Sequence, residues 1–148
     1  MSRFEGTLAS RPFVTIAIEA ASEQTFEEPR IARIEGVALV DTGSEISGIT
    51  RLAADRLALS TNATVSIATA LGDNDVASYL IRLEIEFSHP KEVKLVSQNL
   101  KVFEDQSDWP AQMSGFEVVA LLGMDVLDKY VLVVDGPGDT FLLRDEEG

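Results

Sequence analysis

Positions 12–19, Pro-Phe-Val-Thr-Ile-Ala-Ile-Glu, alternate apolar and polar side chains with β-branched residues among them, which predicts a half-buried strand. Ala21 to Arg30 is polar and holds Pro29, a loop signature, and Ile31 to Val40 then reads as a strand running into Asp41. From Ile49 to Leu59 the apolar spacing becomes near-helical, with Thr50 placed as N-cap, and a short helix is expected. Two β-rich runs, Thr64 to Leu71 and Val76 to Phe87, are joined by Gly72-Asp73-Asn74-Asp75, residues suited to the tight turn of a long hairpin. Glu92 to Val102 predicts another strand. Residues 104–115 show no period and several breakers, a surface loop with Trp109 as an apolar anchor on the body of the fold. Phe116 to Leu122 is a near-continuous apolar strand and Met124 to Lys129 a short helix. Tyr130 to Val134 and Thr140 to Leu143 close the chain as strands around the turn Asp135-Gly136-Pro137-Gly138. Many short strands with one or two short helices predict an all-β class and a closed barrel.

Composition narrows the function classes. The 148 residues suit one domain spanning 1–148. Asp and Glu number 25 against 12 Lys and Arg, a formal charge of -13, which disfavours nucleic acid and anionic membrane surfaces as partners. There is no cysteine, so disulfides, thiolate nucleophiles and Cys-ligated zinc are excluded, and the expected compartment is the cytoplasm. The first residues lack a signal-peptide profile, and no apolar stretch has bilayer-spanning length, so a soluble protein is expected.

Most catalytic signatures are missing. His89 is the only histidine, beside Pro90 in a turn, and no G-x-S-x-G accompanies it; H-E-x-x-H would need a second histidine. Neither a P-loop nor G-x-G-x-x-G occurs. Asp73-Asn74-Asp75 has the start of a calcium loop but Ser78 where the loop glycine belongs. No metal and no cofactor is expected.

What remains is Asp41-Thr42-Gly43-Ser44, entered from the apolar run Val37-Ala38-Leu39-Val40, which puts a carboxylate on a tight turn at a strand's end. Some eighty residues on, Val118 to Leu122 forms a second apolar strand ending in Gly123. Hydrolysing a peptide without a covalent intermediate requires one group to take a proton from water and another to give one to the carbonyl oxygen. Two carboxylates about 3 Å apart, sharing one proton, do both; aspartic proteases are the standard example. The chain carries one such motif, because Asp135-Gly136 lacks the intervening hydroxyl residue, so a single copy is one carboxylate short.

This pairing of motifs resembles the retropepsin-like family of aspartic proteases, in its cellular and bacterial form, over residues 12–143. The resemblance rests on Ala38 to Ser44, the following helix, the Gly72 hairpin, and Val119 to Leu127 followed by Tyr130. It implies an acid-protease barrel with one lobe per chain and a homodimer in which each copy supplies one Asp41. It further implies an aspartic endopeptidase acting on peptide or protein substrates. By the same resemblance Thr42 braces the paired turns, Gly43 contacts substrate backbone, and Leu121, Leu122 and Gly123 form the structural second motif. Glu45, just past the motif, is a candidate to bind substrate backbone or a basic side chain, the alternative being a solvated charge. The hairpin with Ala70, Leu71 and Gly72 becomes a flap over substrate. Two departures stand out: Met124 occupies the place where retroviral members carry an arginine brace, and the acidic Asp73 and Asp75 replace a glycine-rich, apolar flap tip. That acidic tip has two readings, an ordinary solvated turn or a pair of flaps whose carboxylates oppose closure at neutral pH and ease it in acid. The alternative function is a non-catalytic dimeric module that holds an extended peptide in the same groove. A sugar-kinase-like phosphate loop at Asp41 to Ser44 is disfavoured by chain length.

Overall fold

The computed structural model describes residues 2–7, 12–21, 32–61, 63–69, 72–106 and 117–145. In chain order these form β1 (Arg3–Thr7), β2 (Phe13–Ala20), β3 (Ile34–Val40), β4 (Gly48–Thr50), α1 (Arg51–Arg56) and β5 (Thr64–Thr69). There follow β6 (Gly72–Ser88), β7 (Lys91–Asp105), β8 (Val118–Leu122), α2 (Met124–Leu127), β9 (Tyr130–Asp135) and β10 (Thr140–Asp145). Residues 22–30 of the polar loop expected from Ala21 to Arg30, the strand starts at Ile31 and Phe116, the flap residues Ala70 and Leu71, and the Trp109 anchor lie outside the described residues.

Closure follows from the pairing order. β2 pairs with β3, β3 with β8, β8 with β4, β4 with β7 and β7 with β6, and β6 returns to β2, giving the expected closed barrel, here of six strands with two short helices. The inward positions are those that alternation marks. Along β6, Tyr79, Ile81, Leu83, Ile85 and Phe87 are buried, and the residues between them are partly exposed. They join Val14, Ile16 and Ile18 of β2 in one core, where each such side chain contributes about 1.5–3 kcal/mol. β8 is buried at all five positions, as a strand flanked on both sides and covered on both faces requires. A second sheet, β1–β10–β9, adds Phe4, Phe141 and Leu143 to the core, with the Phe4 and Phe141 rings 5.7 Å apart.

Several boundaries differ from the pattern-based expectation. The hairpin turn is not Gly72 to Asp75. Thr69 pairs with Gly72, Ala68 with Asp73 and Ser66 with Asp75, so only residues 70 and 71 separate β5 from β6. Gly72 has φ of +113°, a backbone open to glycine alone at little cost, and the turn chemistry belongs to it, not to the aspartates. Asp73 and Asp75 are exposed rungs of the ribbon, not its tip. The helix expected from Ile49 is shorter: Ile49 and Thr50 lie in β4, a strand too brief to show a period, and Thr50 caps α1 by accepting from Ala53 N at 3.2 Å. β7 runs on to Asp105, and β1 had no periodic signal in five residues.

A polar network ties α1 to the barrel beside the hairpin. Tyr79 donates to Glu104 Oε1 at 3.0 Å, and Arg51, the first residue of α1, approaches Glu104 Oε2 at 3.7 Å and bonds Gln106 at 2.6 Å. Burial, then the bond to Glu104, push the Tyr79 phenol up to about 12. An unfolded tyrosine titrates near pH 10, about where the stabilisation from the neutral phenol begins to be lost as pH rises, the loss being complete above the folded value. Tyr79→Phe is therefore expected to flatten the fall in stability between pH 10 and 12, read from urea unfolding at the two ends of that window. Tyr130, also raised by burial, leaves a residual slope.

Candidate active site

The Asp41 turn sits where three strands meet. β8 runs parallel to β3 on one side and antiparallel to β4 on the other, so the chain entering the turn and the chain leaving it both bond to the same strand. Asp41 N donates to Leu122 O at 2.9 Å, continuing the β3–β8 ladder into the turn itself. Asp41 Oδ1 accepts from Gly43 N at 2.9 Å, an Asx-type closure that fixes the carboxylate on its own backbone. Ser44 N donates to Asp41 O at 3.3 Å, and Ser44 Oγ to Ile46 O at 2.6 Å. The carboxylate is held by backbone and is partly open to solvent, with Thr42, Gly43 and Glu45 exposed around it.

The second motif holds this turn from behind. Met124 N donates to Ser44 O at 2.8 Å and Asp125 N to Glu45 O at 3.1 Å, so the first residues of α2 bond the exit of the turn. Gly123 is required by space: a Cβ there would lie 2.6 Å from Ile46 O and 2.8 Å from Ser44 O. Its φ of -93° is open to any residue, so close packing and not backbone conformation selects glycine.

Two residues that pattern reading did not single out complete the support. Ser47 is buried, its N donating to Asp125 Oδ2 at 3.0 Å and its Oγ to Asp125 Oδ1 at 2.6 Å. The same Oγ accepts from Gly123 N at 2.9 Å. Asp125 thus grips Ser47 with both oxygens, and Ser47 passes the grip to the glycine. Met124 is 40% exposed, and it is the Ser47–Asp125 pair that ties the exit of the turn to the start of α2. The available signal was a lone serine in the apolar run Ile46-Ser47-Gly48-Ile49, since a buried hydroxyl requires a partner.

Of the residues expected at the site, Asp41, Thr42, Gly43, Ser44 and Glu45 share one turn, and Leu121, Leu122 and Gly123 lie in the strand and junction against it. Gly72 belongs to a different element, the β5–β6 hairpin. Asp135 closes the β9–β10 turn as expected, its Oδ1 accepting from Gly138 N at 3.0 Å. His89 is half exposed between β6 and β7, with Nε2 3.3 Å from Glu5. Among the described residues no helix is long and apolar enough to cross a membrane.

A six-stranded closed barrel of this topology, with an aspartate turn backed by an apolar strand and glycine, is the retropepsin-like fold. The crystal structure of a retropepsin-like aspartic protease from Rickettsia conorii matches it with a TM-score of 0.60 and 16% identity, over 97% of this chain and 90% of that one. At that identity the likeness establishes the fold. No family model matches the chain, and no curated protein matches it.

Proposed function

We propose that the chain is an aspartic-type endopeptidase active as a homodimer, with Asp41 of each copy forming a catalytic dyad. The observation that carries this reading is the Asp41 turn itself: a partly exposed carboxylate that accepts from Gly43 N, on a backbone whose Asp41 N bonds Leu122 O, in a fold shared with an aspartic protease. One barrel carries one such turn, and a two-fold axis through paired turns supplies the second acid. In the dyad the ionised Asp41 takes a proton from water as the water oxygen adds to the scissile carbonyl carbon, and the protonated Asp41 gives its proton to the carbonyl oxygen. Collapse of the resulting diol breaks the C–N bond, with a proton passed to the amine, so one water is consumed per cut. Gly43 and Glu45, exposed beside the acid, are the groups that meet the substrate backbone, and the β5–β6 hairpin with Gly72 is the flap.

The reading is tested by cleavage of a denatured protein substrate at pH 5 across a dilution series. Specific activity is expected to fall once the concentration drops below the dimer dissociation constant, by mass action. Activity constant per chain at every dilution contradicts the shared site. With a charge of -13 per copy, two subunits repel at pH 7 and far less near the sequence pI of about 4.3. Dimer affinity by sedimentation is therefore expected to be higher at pH 5 than at pH 7, and equal affinities contradict that expectation.

A further inference from the structure

The strand pairing that closes the barrel, β2 against β6, has an inner face that tells its registers apart only weakly. In the observed register Ile16 stands opposite Ile85, Ile18 opposite Leu83 and Ala20 opposite Ile81. Moving β6 by two residues in either direction keeps its buried side chains inward and sets Ile18 against Ile85 or Ile81, one aliphatic pair for another. The other side of β6 adds little constraint at this point. Its pairing with β7 shifts register between Ile81 and Leu83 and again between Leu83 and Glu84.

The outer face is not degenerate. Glu19 of β2 stands opposite Arg82 of β6, and the two side chains pair at 2.7 Å. Arg82 also holds Glu84 at 2.9 Å. From the residue before β3, Arg33 reaches across β2 to Glu84 Oε2 at 2.6 Å and lies 4.0 Å from Glu19. The crossing passes beside Ala17, the β2 residue opposite Glu84, whose methyl group leaves room for it. Two arginines and two carboxylates thus join three adjacent strands at the closing seam, with the Glu84 side chain only 12% exposed.

We propose that this ladder of charges is a register lock on β6, holding the closing strand where the core alone would let it slip. A two-residue slip one way sets Glu19 opposite Glu84, like charges on adjacent strands, which is destabilising. The other way sets Glu19 opposite Leu80 and Arg82 opposite Ala17, and carries Glu84 about 7 Å further from Arg33 along the strand. Fixing register is the best-attested use of ion pairs that water reaches poorly. The consequence extends to the far end of the strand. β6 runs unbroken from Gly72 to Ser88, so its register sets how far the β5–β6 hairpin extends relative to the Asp41 turn, and one such slip would carry the hairpin corner about 7 Å. The lock is a property of the barrel and holds whether or not the chain cleaves peptides.

Exchanging the two charges within β6 of the full chain tests the lock, read by cross-strand backbone NOEs and by urea unfolding. Arg82→Glu with Glu84→Arg leaves composition and net charge unchanged. In the observed register it sets Glu19 against a carboxylate and Arg33 against a guanidinium, whereas the slipped register sets Glu19 against the arginine now at position 84. The exchange is expected to raise the unfolding equilibrium constant about tenfold or more. In the folded population that remains, contacts between Ala17 and position 84 are expected to give way to contacts between Glu19 and position 84. Adding Glu19→Arg and Arg33→Glu inverts all four charges and remakes each of their pairs with signs exchanged. Only the Arg33–Glu35 pair is lost, and Glu35 is 75% exposed. The fourfold inversion is expected to restore the Ala17 contact and to bring the unfolding constant within about fivefold of wild type. A folded exchange variant that keeps the Ala17 contact overturns the lock, because the core then holds the register unaided. A loss that the inversion leaves unrestored also overturns it. An exchange variant that slips or unfolds, and is rescued by the inversion, supports it.

Discussion

Asp41→Asn is expected to abolish peptide cleavage, lowering the rate by about a thousandfold or more, with the fold and the dimer retained. The magnitude follows from the roles assigned to the pair, since one acid takes the proton from water and the other gives one to the carbonyl. Replacing both copies of Asp41 removes the base and the acid together. The substitution is mild in structure because Asn keeps an oxygen at the Oδ1 position, where Gly43 N bonds at 2.9 Å, and the backbone bond to Leu122 is untouched. Cleavage at pH 5, sedimentation and circular dichroism on the same sample separate the cases. An Asn variant that cuts as fast as wild type removes Asp41 from the chemistry. A wild-type dimer that holds peptide but never cuts it makes the chain the peptide-binding module considered above.

Gly123→Ala is expected to cost about 2–3 kcal/mol of stability and to remove most of the activity. The new methyl would sit 2.6 Å from Ile46 O and 2.8 Å from Ser44 O, and both neighbours are backbone and cannot rotate away. Something larger must move. Either the exit of the Asp41 turn shifts, lengthening the Met124 N–Ser44 O bond of 2.8 Å, or the start of α2 shifts and the Gly123 N–Ser47 Oγ bond of 2.9 Å opens. Both displace the segment that holds Asp41. Gly136→Ala is the control, because a Cβ there meets nothing within 4 Å and its stability is expected to change by no more than about 0.5 kcal/mol. Urea unfolding of both variants checks the contrast, and equal effects would show that crowding at Gly123 is not what selects glycine.

The alternation from Tyr79 to Phe87 and the apolar run into Asp41 made the barrel and its aspartate turn legible, because period-2 burial and a strand-end turn are local properties of sequence. Long-range pairing is not local. Nothing in Gly48-Ile49-Thr50 announces a three-residue strand, since it is held by Phe103 to Asp105 of β7 and by β8, more than fifty residues away in sequence. The hairpin was misplaced for a different reason: Asp73-Asn74-Asp75 has turn-like composition, yet exposed rungs at the end of a two-stranded ribbon tolerate polar residues, and the positive φ of Gly72 marks the actual corner. At the site, Asp41, Gly123 and the strands that carry them were readable from motif spacing. The grip of Asp125 on Ser47 was not, because it joins residues 78 apart in sequence through side chains that carry no motif. Its one trace was a hydroxyl in a buried apolar run.

The central claim is that two copies of Asp41 act as one pair, and the separation of their carboxylates in a crystal structure of the dimer tests it most directly. The account predicts oxygens within about 3 Å of each other across a two-fold axis, close enough to share a proton. Carboxylates of a dimer that lie far apart, each facing solvent, would contradict it and leave a retropepsin-like barrel that carries the turn without the chemistry.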